Sequence, residues 1–251
     1  MPIYNENPAF LELSIASLAN QTDKNFECIF VDDSTDKFIE KICQRICTVD
    51  QRFFYVKNKI RIGLAASLNK GISIARAPLI ARFDSDDICD SNRFKKQLDY
   101  LSENPEIGVL GGAINIIDSQ GNSKKNKFYP LEQKKIENAF IYKNAIAHPT
   151  VIFRKKLINN FGGYDESYTY AEDLELWLRF LKNGVKFANL EDILIYYRDS
   201  NKFRSKDNWV FNLRARYKNF YKKNFYMKII SMLMIALWML IPEKIKNLLK
   251  K

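Results

Sequence analysis

Histidine is nearly absent from this 251-residue chain, which has only His148. Four cysteines, Cys28, Cys43, Cys47 and Cys89, cannot make a Cys/His zinc site with so little histidine. Nor do they keep a secreted disulfide spacing, so reduced, mostly structural thiols in a cytosolic compartment are the expectation. No signal peptide is expected, because Met1 runs straight into Pro-Ile-Tyr-Asn-Glu-Asn-Pro. Internal repeats, low-complexity blocks and interdomain linkers are also missing. What remains is ordinary globular composition, 47% hydrophobic and 27% charged, with ample length for a sizeable core.

Acidic excess is absent too, and the location of the net charge of +11 is informative. Residues 1–197 hold 26 basic and 26 acidic side chains, whereas residues 198–251 hold 14 and 3. The whole excess therefore lies in the tail. A nucleic-acid-binding enzyme would spread basic residues over its body or present a recognisable module, so no nucleic-acid partner is expected.

Along the first half, apolar runs and amphipathic stretches alternate. Helices are expected at residues 8–20, 36–47 and 63–76, and strands at 26–31, 53–56 and just before Asp84. Short links between them predict right-handed βαβ units and a parallel sheet. Further on, 92–102, 131–143 and 172–183 read as helices, and 107–117, 150–153 and 185–197 as strands. Residues 118–122 form a turn. A βαβ fold would place a central strand ahead of the Pro2–Pro8 loop, yet the chain opens on that loop. The expectation is an upstream translation start or a poorly formed edge of the site.

Within Leu-Ile-Ala-Arg-Phe-Asp-Ser-Asp-Asp-Ile, residues 79–88, a strand-like run ends in Asp84, Asp86 and Asp87. Carboxylates this close repel unless a cation or hydrogen-bond donors offset them. Ligands bind at the carboxyl ends of strands in open α/β sheets, so a divalent ion carrying a phosphate is the economical explanation. A solvated turn capping the next helix is the plain alternative. Asp32-Asp33 ends another strand, expected beside the first, and Glu172-Asp173 opens a helix, where the dipole stabilises acids by roughly 0.3–1 kcal/mol.

Taken in order, Pro-Ile-Tyr-Asn-Glu, Leu-Ala-Asn-Gln-Thr, Phe-Glu-Cys-Ile-Phe-Val-Asp-Asp-Ser-Thr-Asp, Phe-Asp-Ser-Asp-Asp and Tyr-Ala-Glu-Asp-Leu-Glu-Leu-Trp-Leu-Arg closely resemble the family 2 glycosyltransferases of bacterial surface-polysaccharide synthesis. The resemblance covers about residues 1–198. It implies an α/β GT-A fold, mostly parallel, over residues 1–205, with a nucleotide-binding half (1–100) and an acceptor half (101–205). It also implies a UDP-sugar donor, a saccharide acceptor, Mg²⁺ or Mn²⁺, and inverting transfer of a hexose or N-acetylhexosamine. Pro2, Tyr4, Asp32 and Asp84 would hold the nucleotide sugar, Asp86 and Asp84 the metal. Asp173 would be the catalytic base, with Glu172 and His148 at the acceptor. This chain departs from the family's common Asp-Asp-Gly-Ser, reading Asp33-Ser34-Thr35 instead.

The alternatives are a sugar nucleotidyltransferase and a non-catalytic basic membrane-binding protein. The first would want a Gly-rich, basic triphosphate loop near the N-terminus, and none is visible.

Residues 206–251 read as a basic, hydrophobic helical tail. Residues 229–241 contain only one polar side chain, Ser231. A helix of that length spans about 20 Å, against roughly 30 Å of bilayer hydrocarbon. Lysines flank both ends: Lys218, Lys222, Lys223 and Lys228 before it, Lys244, Lys246, Lys250 and Lys251 after it. A spanning helix would show a bias to one side. An interfacial helix on anionic lipid is expected, with Tyr217, Phe220, Tyr221, Phe225, Tyr226 and Trp238 at the headgroups. A core helix packed on the body is the other possibility. The expected enzyme is cytoplasmic, peripherally attached to the inner face of the membrane, and acts on a lipid-linked oligosaccharide.

Overall fold

The computed structural model describes residues 1–199 and 205–241. Lys244, Lys246, Lys250 and Lys251 lie outside the described residues.

Local rules account for the first elements, β1 (Pro2–Ile3), α1 (Pro8–Ala19), β2 (Cys28–Asp32), α2 (Lys37–Val49), β3 (Phe53–Lys57) and α3 (Leu64–Ile74). Pro8 opens α1 behind an Asn7 cap whose side chain accepts the Ala9 N–H at 2.9 Å. Asp36 caps α2 in the same way through Phe38. Strand β2 is buried along its whole length and pairs parallel with β1 on one side and β3 on the other. The edge ahead of the first loop is thus formed, but by two residues, Pro2 and Ile3, paired with Val31 and Asp32.

The remaining body contains β4 (Leu79–Ala81), β5 (Ile88–Cys89), α4 (Arg93–Glu103), β6 (Ile107–Ile117), β7 (Ser123–Lys127) and α5 (Gln133–Tyr142). A 3₁₀ turn, His148–Thr150, then leads into β8 (Ile152–Arg154), α6 (Lys156–Phe161), α7 (Glu172–Lys182) and β9 (Lys186–Arg198). The strands form a second sheet in the order β4-β8-β6-β9-β5, with β7 attached to β6. Here the expectation of a mostly parallel sheet fails. Only β6 and β9 run parallel; β4–β8, β5–β9, β6–β7 and β6–β8 are antiparallel. The hairpin through residues 118–122 reverses the chain between β6 and β7, and no βαβ crossover intervenes there. Strands β4 and β5, from before residue 100, pair with β8 and β9 from after it.

Edges of the two sheets face each other across a groove of about 640 Å³, lined by Met1, Cys28, Ile29, Leu79, Ala81 and Phe94 among others. Its walls are mainly apolar; Arg82 and Phe83, just ahead of the acidic turn, are among them, whereas Asp84, Asp86 and Asp87 are not. All four cysteines are free; burial pushes the Cys28 and Cys43 thiols up, to about 11 and about 12.

Trp177 on α7 is fully buried and packs edge-on against Phe153, Phe180 and Phe187. Behind this cluster lie α8 (Lys206–Lys218) and α9 (Phe225–Leu240). Arg216 of α8 donates to the Ile141 carbonyl at 2.7 Å, and Ser231 of α9 donates to the same oxygen. Among the described residues no helix is long and apolar enough to cross a membrane.

Central strand β6 carries three glycines, and its neighbours leave no room for side chains there: a Cβ at Gly108 would run into Val185. A Cβ at Gly111 would collide with Ile146 and Asn189, and one at Gly112 with Leu194. Gly111→Ala should therefore destabilise the protein by about 1–3 kcal/mol. Thermal denaturation should show a melting point several degrees lower; an unchanged midpoint would mean the strand has slack that its contacts do not show.

Candidate active site

The acidic turn is built by what clamps it from both sides. From α1, Ser14 donates to the Asp87 carbonyl and Ser17 accepts the Cys89 N–H at 3.0 Å; just past the helix, Gln21 donates to the Asp90 carbonyl at 2.7 Å. From the end of β9, the Arg198 N–H donates to Asp87 Oδ1 at 2.8 Å and its Nε to the Asp86 carbonyl at 3.0 Å. The guanidinium also stacks on Phe10, 4.0 Å from the ring centre. Asp87 is thereby a buried anchor of the turn.

Asp84, Asp86 and Asp87 offer carboxylate oxygens within 4.8 Å of one another. Burial first, and then the charges of Asp84 and Glu6, push the Asp86 carboxyl up to about 7. Burial and the charges of Asp84 and Asp86 likewise raise Asp87. Asp87 Oδ2 is buried with no hydrogen-bond partner among the described residues. Hard oxygens without soft nitrogen or sulfur ligands suit Mg²⁺ or Mn²⁺. The three carboxylates present fit such an ion as a group.

A second buried arginine, Arg82, faces the carboxylates themselves. Arg82 is buried at the end of β4 and donates to Asp84 Oδ2. Its charge also bears on Asp86, Asp87, Tyr164, His148 and Glu172. Nothing in the sequence pattern singled out Arg82, although a charged residue inside an apolar strand end is itself a signal.

Helix α7 delivers the second acidic pair. Its N-cap, Ala171, sits in the left-handed region at φ 57°, unusual for a residue with a side chain, and gives no side-chain cap. Strain of this kind collects at functional sites. Asp173 fills the gap by accepting the Leu174 N–H at 2.7 Å through Oδ1, while Oδ2 accepts from Asn144 at 2.6 Å. Asn144 was not anticipated, because its partner lies 29 residues away. Burial, and then the Asp173 charge, raise Glu172, with Asp84 adding to the effect. The Asp84 charge thus reaches the first residue of α7.

His148 is packed and hydrogen-bonded: its Nε2 lies 2.8 Å from the Tyr164 hydroxyl, and its ring contacts Trp177. Burial, reinforced by Arg82, lowers its pKa well below the usual value, so the ring is neutral. Tyr164 is in turn pinned to α3 by two Asn69 bonds of 2.8 Å.

Asp32 stands apart. Its enclosed carboxylate accepts from Tyr55 and Lys57 at 2.7 Å and from the Ser34 N–H at 2.8 Å. Burial opposes its charge, but Lys57, Tyr55 and Ser34 outweigh it and hold the pKa below the usual range. Asp33 fastens the following loop, accepting the Gly63 N–H at 2.8 Å. Pro2 is half-buried in β1, and Tyr4 is exposed with Arg61 4.2 Å above its ring.

The family model described as Glycosyl transferase family 2 matches residues 1–161. The chain belongs to this family. It is 34% identical to an uncharacterized glycosyltransferase of Methanocaldococcus jannaschii, covering 85% of this chain and 73% of that protein. It is 33% identical to the O-antigen biosynthesis glycosyltransferase WbnJ of Escherichia coli, covering 85% of each. Among solved structures, S. aureus TarS superposes with a TM-score of 0.70 at 18% identity, over 92% of this chain and 42% of TarS. The 1–349 portion of TarS in complex with UDP gives 0.67, also at 18% identity, over 94% of this chain and 69% of that one. The α/β GT-A-like fold of this glycosyltransferase is therefore shared with TarS.

Because Asp86 is pushed up to about 7, protons compete with a metal there. Mn²⁺ binding, measured by calorimetry without nucleotide, should be level above that pH and weaken below it. The loss should approach about tenfold per pH unit. Asp86→Ala should abolish the binding, and an affinity independent of pH would remove Asp86 from the ligand set.

Proposed function

We propose that this family 2 glycosyltransferase is an inverting, metal-dependent enzyme. It moves a hexose or N-acetylhexosamine from a UDP-sugar to a saccharide acceptor in cell-surface polysaccharide or lipopolysaccharide synthesis. The observation that carries the reading is the cluster of Asp84, Asp86 and Asp87 carboxylates within 4.8 Å of one another, with the Asp84 charge reaching Glu172 at the start of α7. The UDP complex of TarS and the O-antigen role of WbnJ support the donor and the pathway class.

Each residue then has a defined task. Asp86 and Asp84 would hold Mg²⁺ or Mn²⁺, which when bound supplies charge neutralisation for a departing diphosphate. Asp84 also faces the donor ribose, Asp32 is read as the uracil contact, and Pro2 and Tyr4 form the loop beside the nucleotide. Asp173 takes the proton of the acceptor hydroxyl as that oxygen bonds to C1 and the C1–phosphate bond breaks. Asn144 fixes the orientation of the accepting carboxylate by its bond to Oδ2. Glu172 lies beside it at the acceptor, and His148 steadies the same wall through Tyr164. One base without a second nucleophile makes a single displacement, which inverts the anomeric centre. A lipid-linked acceptor would suit the apolar, cationic tail.

Removing a general base typically costs about 10²–10⁴ in rate. Asp173→Asn should keep UDP binding, read by calorimetry, and lose at least that lower factor in turnover. Near wild-type turnover would overturn the assignment.

A further inference from the structure

Helix α9 is apolar on both sides. One side closes on the protein, where Ser231 and Ile235 are buried and Trp238 packs against Trp209 of α8. The other faces outward. Tyr226, Ile230, Leu233, Leu237 and Leu240 recur at intervals of four and three residues, and each is more than half exposed. Met227 and Met234 widen the row. A surface helix normally turns polar residues outward. This one shows a continuous apolar strip about 21 Å long at 1.5 Å per residue. Strips of that kind mark sites of interaction with a protein or a membrane.

Charge decides between them. In sequence, residues 222–251 carry seven lysines against one acid, Glu243, so the apolar helix is embedded in a strongly cationic stretch of chain. Anionic headgroups beside acyl chains match both features at once. The 16 residues of α9 span about 24 Å, short of roughly 30 Å of hydrocarbon. Phe225 and Tyr226 are exposed at the N-terminal end, next to the exposed Lys222, as at a headgroup boundary.

We propose that the outward row of α9 docks in the plane of an anionic lipid surface, with the flanking lysines on the headgroups. Arg216 and Ser231 both grip the C-terminal carbonyls of α5, and Asn144, three residues beyond Ile141, holds Asp173. The docked helix and the acceptor carboxylate thus hang from the same end of α5. A lipid-linked acceptor would arrive on that side, a consequence that rests on the function proposed above.

Vesicle co-sedimentation of the full chain tests the docking without donor or acceptor, so it can fail or succeed independently of catalysis. The protein should sediment with mixed phosphatidylglycerol–phosphatidylcholine vesicles and at least tenfold less with phosphatidylcholine alone. Leu233→Glu with Leu237→Glu should reduce the anionic binding at least tenfold, with melting temperature and metal-dependent UDP-sugar hydrolysis unchanged. Should that variant fold poorly, replacing Lys244, Lys246, Lys250 and Lys251 by Gln should weaken anionic binding and leave the apolar row intact. Absence of binding, equal binding to both vesicles, or a dimer that the Glu variant splits into monomers would each overturn the proposal.

Discussion

The site depends on one buried guanidinium set among carboxylates that would otherwise repel one another. Arg82 pairs with Asp84 and places its positive charge among Asp86, Asp87 and Glu172. The balance is incomplete, since Asp86, Asp87 and Glu172 are all pushed toward their neutral forms. Burying like charges costs stability unless they are offset. The deficit falls on the cluster of Asp84, Asp86 and Asp87, whose carboxylate oxygens lie within 4.8 Å of one another.

The scaffold keeps that arrangement from relaxing. Two serines of α1, Gln21 just beyond it and one arginine at the end of β9 hold the acidic turn from opposite sides. Helix α7 brings Asp173 within reach of Asn144, and its left-handed N-cap is the local strain in that delivery. The aromatic layer around Trp177 is the base on which α7 and the His148–Tyr164 pair rest. Helices α8 and α9 extend the support to the C-terminal carbonyls of α5.

Much of this was legible in order along the chain. The helices of the first half fall within a few residues of where periodicity placed them, and residues 107–117 form the expected strand. Small elements escaped, among them β5 with two residues and α6 with six, because so few positions set no clear period. Strand β7 was missed for another reason: Ser-Lys-Lys-Asn-Lys is exposed on every residue and shows no apolar face. The antiparallel pairing of the second sheet was also out of reach, since direction is set by the path between strands rather than by their composition.

The candidate site divides along the same line. By itself the sequence determined the strand-to-acid transitions at Asp32 and Asp84, the acids opening α7 and the concentration of positive charge after residue 197. These are local patterns, governed by propensity, periodicity and the spacing of like charges. Tertiary structure alone decided that Arg198 would bind Asp87 across 111 residues and that Arg82 would face the acids of two separate segments. It also placed His148 under Tyr164 and Asp32 beneath Lys57. The physical reason is that a pKa, a buried ion pair or an open helix face belongs to the packed surroundings, which no short stretch of chain contains.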